Sequence, residues 1–288
     1  MQSIIMTDSN TELPLEVVDK YNVPFVRMPY TINNQEYFYD LGRESNLDDF
    51  YAQVRGGAMP ITSMLPPTFY EEYWRPMLEA GNDILFICFS SQLSGAFNCI
   101  NMARETILQE FPERKITLVD TKSISGGAGL LVYEALKMRE NGKTDEEIVA
   151  WLEENRTRMH HWVTVNDLMH LKRGGRISTA EAVFGGILDI KPILKINTEG
   201  KLLPCGKVSG RKKAIRTLAS NVEQTVGDPA GKICVILHGD CEADALLLKQ
   251  QIENKVAFQE IWVRKVGPVI GTHAGPGVLA VCYLGNER

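Results

Sequence analysis

Ile84-Leu85-Phe86-Ile87-Cys88-Phe89 is an unbroken apolar run, and Ser90-Ser91-Gln92-Leu93-Ser94-Gly95-Ala96 ends it abruptly. Phe97, Ile100, Ala103, Ile107 and Leu108 then recur at helical spacing. A short run that is apolar on both faces predicts a fully buried strand, followed here by a loop and a helix. Open α/β sheets bind ligands where such strands end. The first amides of the helix have no partner within it, and Ser90, Ser91 and Ser94 add hydroxyls, so the loop suits an anionic head group. For any one serine, capping is the commoner role. Three serines and a glycine around one turn exceed what a single cap needs.

Similar units flank this one. Ser3 to Met6 is a short strand that delivers Thr7-Asp8-Ser9 to the same kind of loop, and Leu13-Pro14 opens a helix. Ile116 to Val119 is a third buried strand, ending in Asp120-Thr121-Lys122-Ser123, with Gly126-Gly127 ahead of another helix. Thr144 and Glu147 form a capping box for a helix from Asp145 to about Glu154. Between the first two units lies a β excursion, Tyr21 to Asp40, with its turn at Asn33-Asn34. A helix capped by Asn46 and Asp49 follows. Prolines 60, 66 and 67 then bracket Ile61-Thr62-Ser63-Met64-Leu65 and hold it extended, which presents the Thr62 and Ser63 hydroxyls in a fixed place; a local turn is the alternative. Strands followed by polar loops and helices predict an α/β fold with a doubly wound parallel sheet, ending near Arg156.

The second half reads as a mixed α/β domain. Strands are expected at His161 to Val165, Ile190 to Ile196, Leu202 to Val208, Ile233 to Leu237, Ile261 to Val266 and Val278 to Leu284. Asp167-Leu168 starts a short helix that turns at Lys172-Arg173-Gly174-Gly175-Arg176, and helices follow at Arg211 to Val222 and Glu242 to Glu253. Gly267 to Gly277 reads as a tight glycine-rich loop with His273 inside it. An imidazole there can donate to a carboxylate, so His273 stands as a candidate contact. His160, His161 and His170 lack the spacing of helical ligand pairs and carry less weight.

Composition narrows the function. The 288 residues are 44% hydrophobic and 23% charged, ordinary for a globular protein. The start lacks a basic region followed by a long apolar stretch, and no run approaches the roughly 18 apolar residues of a membrane span. A cytoplasmic location is expected. Six cysteines form no Cys-x-x-Cys pair, and Cys88, Cys234 and Cys282 lie in apolar runs, so neither disulfides nor a metal site is expected. Charge is uneven: residues 1–155 hold 12 Lys/Arg against 24 Asp/Glu, whereas residues 156–216 hold 13 against 4. A basic face of this kind meets phosphate, an anionic membrane or an acidic partner, or is simply solvated. Nucleic acid is disfavoured because the patch lacks interleaved aromatics and the chain as a whole is acidic. No Gly-x-Ser-x-Gly elbow, phosphate loop, Gly-x-Gly-x-x-Gly or His-Glu-x-x-His is present, and Ser209-x-x-Lys212 lacks its companion motifs.

Taken together and in order, several motifs resemble the DegV family of bacterial fatty-acid-binding proteins over nearly the whole chain. They are Met6-Thr7-Asp8-Ser9, Ile61-Thr62-Ser63, Ser90 to Phe97, Arg173 to Ser178, Ile190-Lys191-Pro192-Ile193-Leu194 and His273 to Gly277. The resemblance implies two α/β domains, 1–156 carrying the head-group loops and 157–288 forming the acyl-tail pocket, with a long-chain fatty acid between them and no other cofactor. It implies that Thr62, Ser63, Ser94 and Gly95 hold the carboxylate, with His273 beside it. Ala96 departs from the threonine usual in the family, and Met64-Leu65-Pro66 from Gln-Pro-Ser. An acyl tail of about 15 methylenes at ~0.8 kcal/mol each supplies most of the affinity, and polar contacts fix orientation. Val183 to Leu188 and Val269-Ile270 are candidate tail-lining stretches.

The resemblance further implies that the chain presents the acid to a fatty acid kinase subunit; the charge split makes Arg173, Arg176 and Arg211 the candidates to dock that subunit or, transiently, an anionic membrane surface, and a monomer is expected. The rival is a stand-alone acyl or phosphoryl transferase using Ser94 as nucleophile and His273 as base.

Overall fold

Residues 2–166, 168–178 and 189–288 are described by the computed structural model. In chain order the first part comprises β1 (Ile4–Asp8), α1 (Leu15–Tyr21), β2 (Phe25–Val26), β3 (Pro29–Ile32), β4 (Gln35–Phe38), α2 (Leu47–Arg55), β5 (Ile61–Thr62), α3 (Pro67–Glu79), β6 (Ile84–Cys88), α4 (Ala96–Glu110), β7 (Ile116–Asp120), α5 (Ser125–Glu140) and α6 (Asp145–Asn155). The rest comprises β8 (Met159–Thr164), α7 (Met169–Arg173), β9 (Ile190–Ile196), β10 (Leu202–Ser209), α8 (Arg211–Thr225), β11 (Ile233–His238), α9 (Glu242–Glu253), β12 (Glu260–Lys265), α10 (Pro268–Ala274) and β13 (Leu279–Leu284).

The fold is α/β, with one parallel and one mixed sheet. Strands β2, β1, β6 and β7 lie side by side in that order, all parallel. Every residue of β6 is buried, as its unbroken apolar run requires. Trp74 and Tyr70 of α3 cover one of its faces, with ring centroids 6.0 and 6.3 Å from that of Phe86. The excursion after α1 is a small antiparallel sheet, β4-β3-β5, whose hairpin turns at Asn33 and Asn34. Both have positive φ, 51° and 64°, which asparagine tolerates and a two-residue hairpin turn demands. The capping box at Thr144 and Glu147 is present in both directions, and Asn46 caps α2 by accepting from the Asp49 amide.

The second sheet has the order β10-β9-β8-β13-β11-β12 and is antiparallel except at β11-β12. Its alternate residues serve two cores. Ile193, Cys234, Ile236, Leu279, Val281 and Tyr283 pack with α8 and α9, while Leu194, Val235, Leu237, Ala280 and Cys282 face the first half of the chain.

One expected loop is a helix. Residues 268–274 form α10, started by Pro268 and held by the Thr272 hydroxyl, which donates to the Pro268 carbonyl at 2.8 Å. Gly267 and Gly271 serve close packing, whereas Gly275 and Gly277, with φ of 75° and 85°, make the turn that ends the helix. A Cβ on Gly271 would stand 2.8 Å from the Tyr51 hydroxyl, and one on Gly267 would overlap the Tyr39 ring. These contacts seat α10 on α2 and on the segment after β4. Val183 to Leu188 lies outside the described residues.

Candidate functional site

A cavity of about 660 Å³ lies between the inner face of the second sheet and the strand-end loops of the first half. Its wall is mostly apolar: Val163 and Val165 come from β8 and the segment after it, Leu237 from β11, Ala280 and Cys282 from β13, and Val269 and Ile270 from α10. Phe89 and Leu93, from the loop that ends the central strand, complete it. The volume lies within the usual range for small-molecule sites.

Polar groups gather at one end. Pairing of β5 with β3 sets Thr62 opposite Tyr30, with Ser63 beside it on the same cavity wall. From the far end of the chain, the last turn of α10 brings His273 so close that Thr62 Oγ1 and His273 Nε2 are 2.9 Å apart. Burial, with a smaller contribution from the nearby Arg176 guanidinium, pushes the His273 pKa down to about 4, so the ring is neutral at physiological pH. Ser94 and Gly95 line the same end, and the Ser94 oxygen accepts from the Ala96 amide at 3.1 Å. Arg176 reaches it too, donating through Nε to the Leu93 carbonyl at 3.0 Å and through Nη1 to that of Gly174. Arg173, exposed, also lines the cavity. Hydroxyls, an imidazole and two guanidinium groups therefore line one end of a mostly apolar cavity.

The other expected groups lie elsewhere. Ser90 donates to the Gly200 carbonyl at 2.8 Å and Ser91 to the Asp120 carboxylate at 2.7 Å. Their hydroxyls are consumed by the fold, and of the three serines only Ser94 reaches the cavity. Arg211 is at the start of α8, in a 2.8 Å ion pair with Asp244, and is not part of the cavity wall. His161 and His170, given less weight in the sequence, both line it. Burial holds His161 down to a pKa of about 3, hence neutral.

The sequence places Thr7-Asp8-Ser9 in a strand-end loop, but the polar run extends further than that reading takes it. Thr7, Asp8, Ser9, Asn10, Thr11 and Glu12 are six consecutive polar residues, all buried. Asn10 lines the cavity, as does Ser125, whose hydroxyl donates to the Glu12 carboxylate. The Glu12 carboxylate also accepts the Gly267 amide at the start of α10. The position of this run at the end of a parallel strand was the available signal.

The geometry does not make a catalytic relay. Ser94 and His273 are not hydrogen-bonded, and among the described residues His273 Nδ1 is buried without a partner and no carboxylate orients the ring. Among the described residues there is no cluster of side chains that could hold a metal ion, and no helix is long and apolar enough to cross a membrane.

Comparison with known proteins agrees with this architecture. The model of the family described as "Uncharacterised protein, DegV family" matches residues 3–286. A DegV domain-containing protein of Clostridium perfringens is 38% identical over 285 residues, covering 99% of this chain and 98% of that protein. Among solved structures, one on fatty acid binding of a DegV family protein from Thermus thermophilus superposes with a TM-score of 0.88 at 29% identity, covering 99% of this chain and 100% of that one. A fatty acid binding DegV family protein from Streptococcus agalactiae gives 0.87 at 27% identity over 100% of both chains.

Proposed function

The chain belongs to the DegV family, and on that premise we propose that it is a non-catalytic carrier that binds a long-chain fatty acid in the cavity between two units, residues 1–156 and 157–288. The observation that carries this reading is a mostly apolar cavity with Thr62, Ser63, Ser94, His273 and Arg176 gathered at one end. Fatty acid binding by the Thermus and Streptococcus relatives supports it.

The carboxylate lies at Thr62, Ser63, Ser94, Gly95 and His273. With Nε2 protonated, His273 donates to the Thr62 oxygen and frees the Thr62 hydrogen for the ligand, a charge-assisted bond. The guanidinium groups of Arg176 and Arg173 offset the charge. The tail runs inward, each buried methylene contributing ~0.8 kcal/mol.

The carrier acts as a cytoplasmic monomer and presents the carboxylate to a fatty acid kinase subunit for acyl-phosphate formation. Arg173, exposed beside the site, is the cation best placed to dock that subunit or an anionic membrane surface, whereas Arg211 is committed to Asp244. Unchanged kinase coupling after charge reversal at Arg173 and Arg211 would overturn the docking assignment.

The reading as a whole is tested by denaturing the protein as purified from bacteria and identifying the released small molecules by mass spectrometry. One long-chain acid per chain, lost in Thr62→Val or Ser94→Ala, is expected. A phosphorylated metabolite, or product formed from ATP and fatty acid without a partner, would favour a transferase instead.

A further inference from the structure

Lys172-Arg173-Gly174-Gly175-Arg176 ends α7 with two glycines that do different things. Gly175 has a φ of 70°, the left-handed conformation that stops a helix. Gly174, at the C-terminal cap, has a φ of −72°, right-handed backbone that any residue adopts. Its conformation does not call for glycine, and alanine there would favour the helix.

His273 is what excludes a side chain. A Cβ on Gly174 would lie 2.1 Å from His273 Nδ1, 3.1 Å from Cε1 and 3.2 Å from Cγ. The imidazole therefore lies between Thr62, whose Oγ1 is 2.9 Å from Nε2, and the side of Gly174 where a Cβ would be. Nδ1 is buried and, among the described residues, has no hydrogen-bond partner. A neutral ring has one proton. On Nδ1 it would be a buried donor facing carbon, so it stays on Nε2.

Helix α7 is itself held in place. The contact is returned across the pair, for the His170 ring lies on Gly275, where a Cβ would stand 2.5 Å from Cδ2. Beyond the glycines, Arg176 Nε donates to the Leu93 carbonyl at 3.0 Å. Each of the two short helices, α7 and α10, thus seats its histidine on the glycine that caps the other's C-terminus.

We propose that Gly174 is a positioning residue for the head-group end of the cavity. Its missing side chain is the seat that fixes the orientation and the tautomer of His273, and so leaves the Thr62 hydrogen free for a ligand carboxylate. The ligand part of this assignment rests on the fatty-acid reading above; the seat does not.

The test is a stearic acid titration of delipidated wild-type protein, Gly174→Ala, His273→Ala and the double variant, with nitrogen NMR of the histidine rings. Gly174→Ala is expected to bind between about tenfold and a hundredfold more weakly, the loss of one hydrogen bond to a charged group. In the His273→Ala background the same substitution should change affinity by less than about twofold, because no ring is left to displace. Wild-type His273 should show a pyridine-type Nδ1 and a pyrrole-type Nε2, a pattern that Gly174→Ala mixes or reverses. Thermal melts separate folding from binding. Should Gly174→Ala fold poorly, recovery in the double variant supports the seat, and a double variant that folds no better overturns it. Undiminished affinity in Gly174→Ala, an equal loss in both backgrounds, or an unchanged ring spectrum would also overturn it. Failure of the wild-type protein to bind stearic acid would instead overturn the fatty-acid reading, and the ring spectra would then decide the seat alone.

Discussion

Thr62 Oγ1 and His273 Nε2 stand 2.9 Å apart although 211 positions separate them in the chain. The pair joins a short strand of the first half to the last helix. Replacing Thr62 by valine keeps the shape and deletes the hydroxyl, so fatty acid affinity should fall by about 1–3 kcal/mol while stability barely moves. Displacement titration and a thermal melt on the same sample check both parts.

His273 should not act as a protonation switch near neutrality. With its pKa pushed down to about 4, the ring is neutral throughout the physiological range. Titration of this ring should thus contribute no step to affinity between about pH 6 and 8. An NMR titration of the ring resonances is the direct measurement, and an inflection near the ordinary histidine value would contradict it.

Asp8 sets a pH dependence of stability. Burial raises its pKa to about 7, opposed by a bond from the Asn10 amide. The unfolded chain releases this proton above about pH 4. The folded chain keeps it until about pH 7, so stability is lost as pH rises across that window. Asp8→Asn keeps an acceptor for the Asn10 amide and removes the titration. The variant should gain on the order of 1–3 kcal/mol over wild type at pH 8 relative to pH 5. Histidine effects run the other way: His161, held down to about 3, costs stability as pH falls below its ordinary value. Urea unfolding at the two pH values reads the difference.

Gly129 allows α5 to lie against the segment after β1. A Cβ there would stand 2.5 Å from the Thr11 carbonyl oxygen and 3.5 Å from Leu13 Cα, and both are backbone that cannot rotate away. Gly129→Ala should cost about 1–3 kcal/mol despite the better helix propensity of alanine. A lowered denaturation midpoint is the expected result.

Ala280 faces the cavity from the middle of the second sheet. Leucine there takes up tail space, and each methylene excluded from the ligand forfeits ~0.8 kcal/mol. Mass spectrometry of acids co-purifying with Ala280→Leu should show a shift to shorter chains; an unchanged distribution would place the tail elsewhere.

The strands were legible because their apolar runs are buried on both faces or alternate between two cores, as β6 and β11 do. The polar end of the cavity was legible in part: Thr62, Ser63, Ser94, Gly95 and His273 all line it. Hydroxyl position was not, since only tertiary structure says that Ser90 turns to Gly200 and Ser91 to Asp120. The seven-residue α10 was hidden because two glycines and a proline read as loop, whereas Tyr39 and Tyr51 demand those glycines from distant parts of the chain. The run Thr7 to Glu12 was legible only at its start, where Thr7-Asp8-Ser9 reads as a strand-end loop. That Asn10, Thr11 and Glu12 are buried as well depends on partners in later segments, Ser125 and Gly267 among them.

Strand β13 lies between β8 and β11, yet it follows every other strand in sequence. A ribosome-bound chain lacking it exposes two open sheet edges and has no Ala280 or Cys282 to wall the cavity. On the fatty-acid reading, the cavity can be loaded only after β13 has joined the sheet. A chain stalled before residue 279 would leave β8 and β11 each with an unpaired edge.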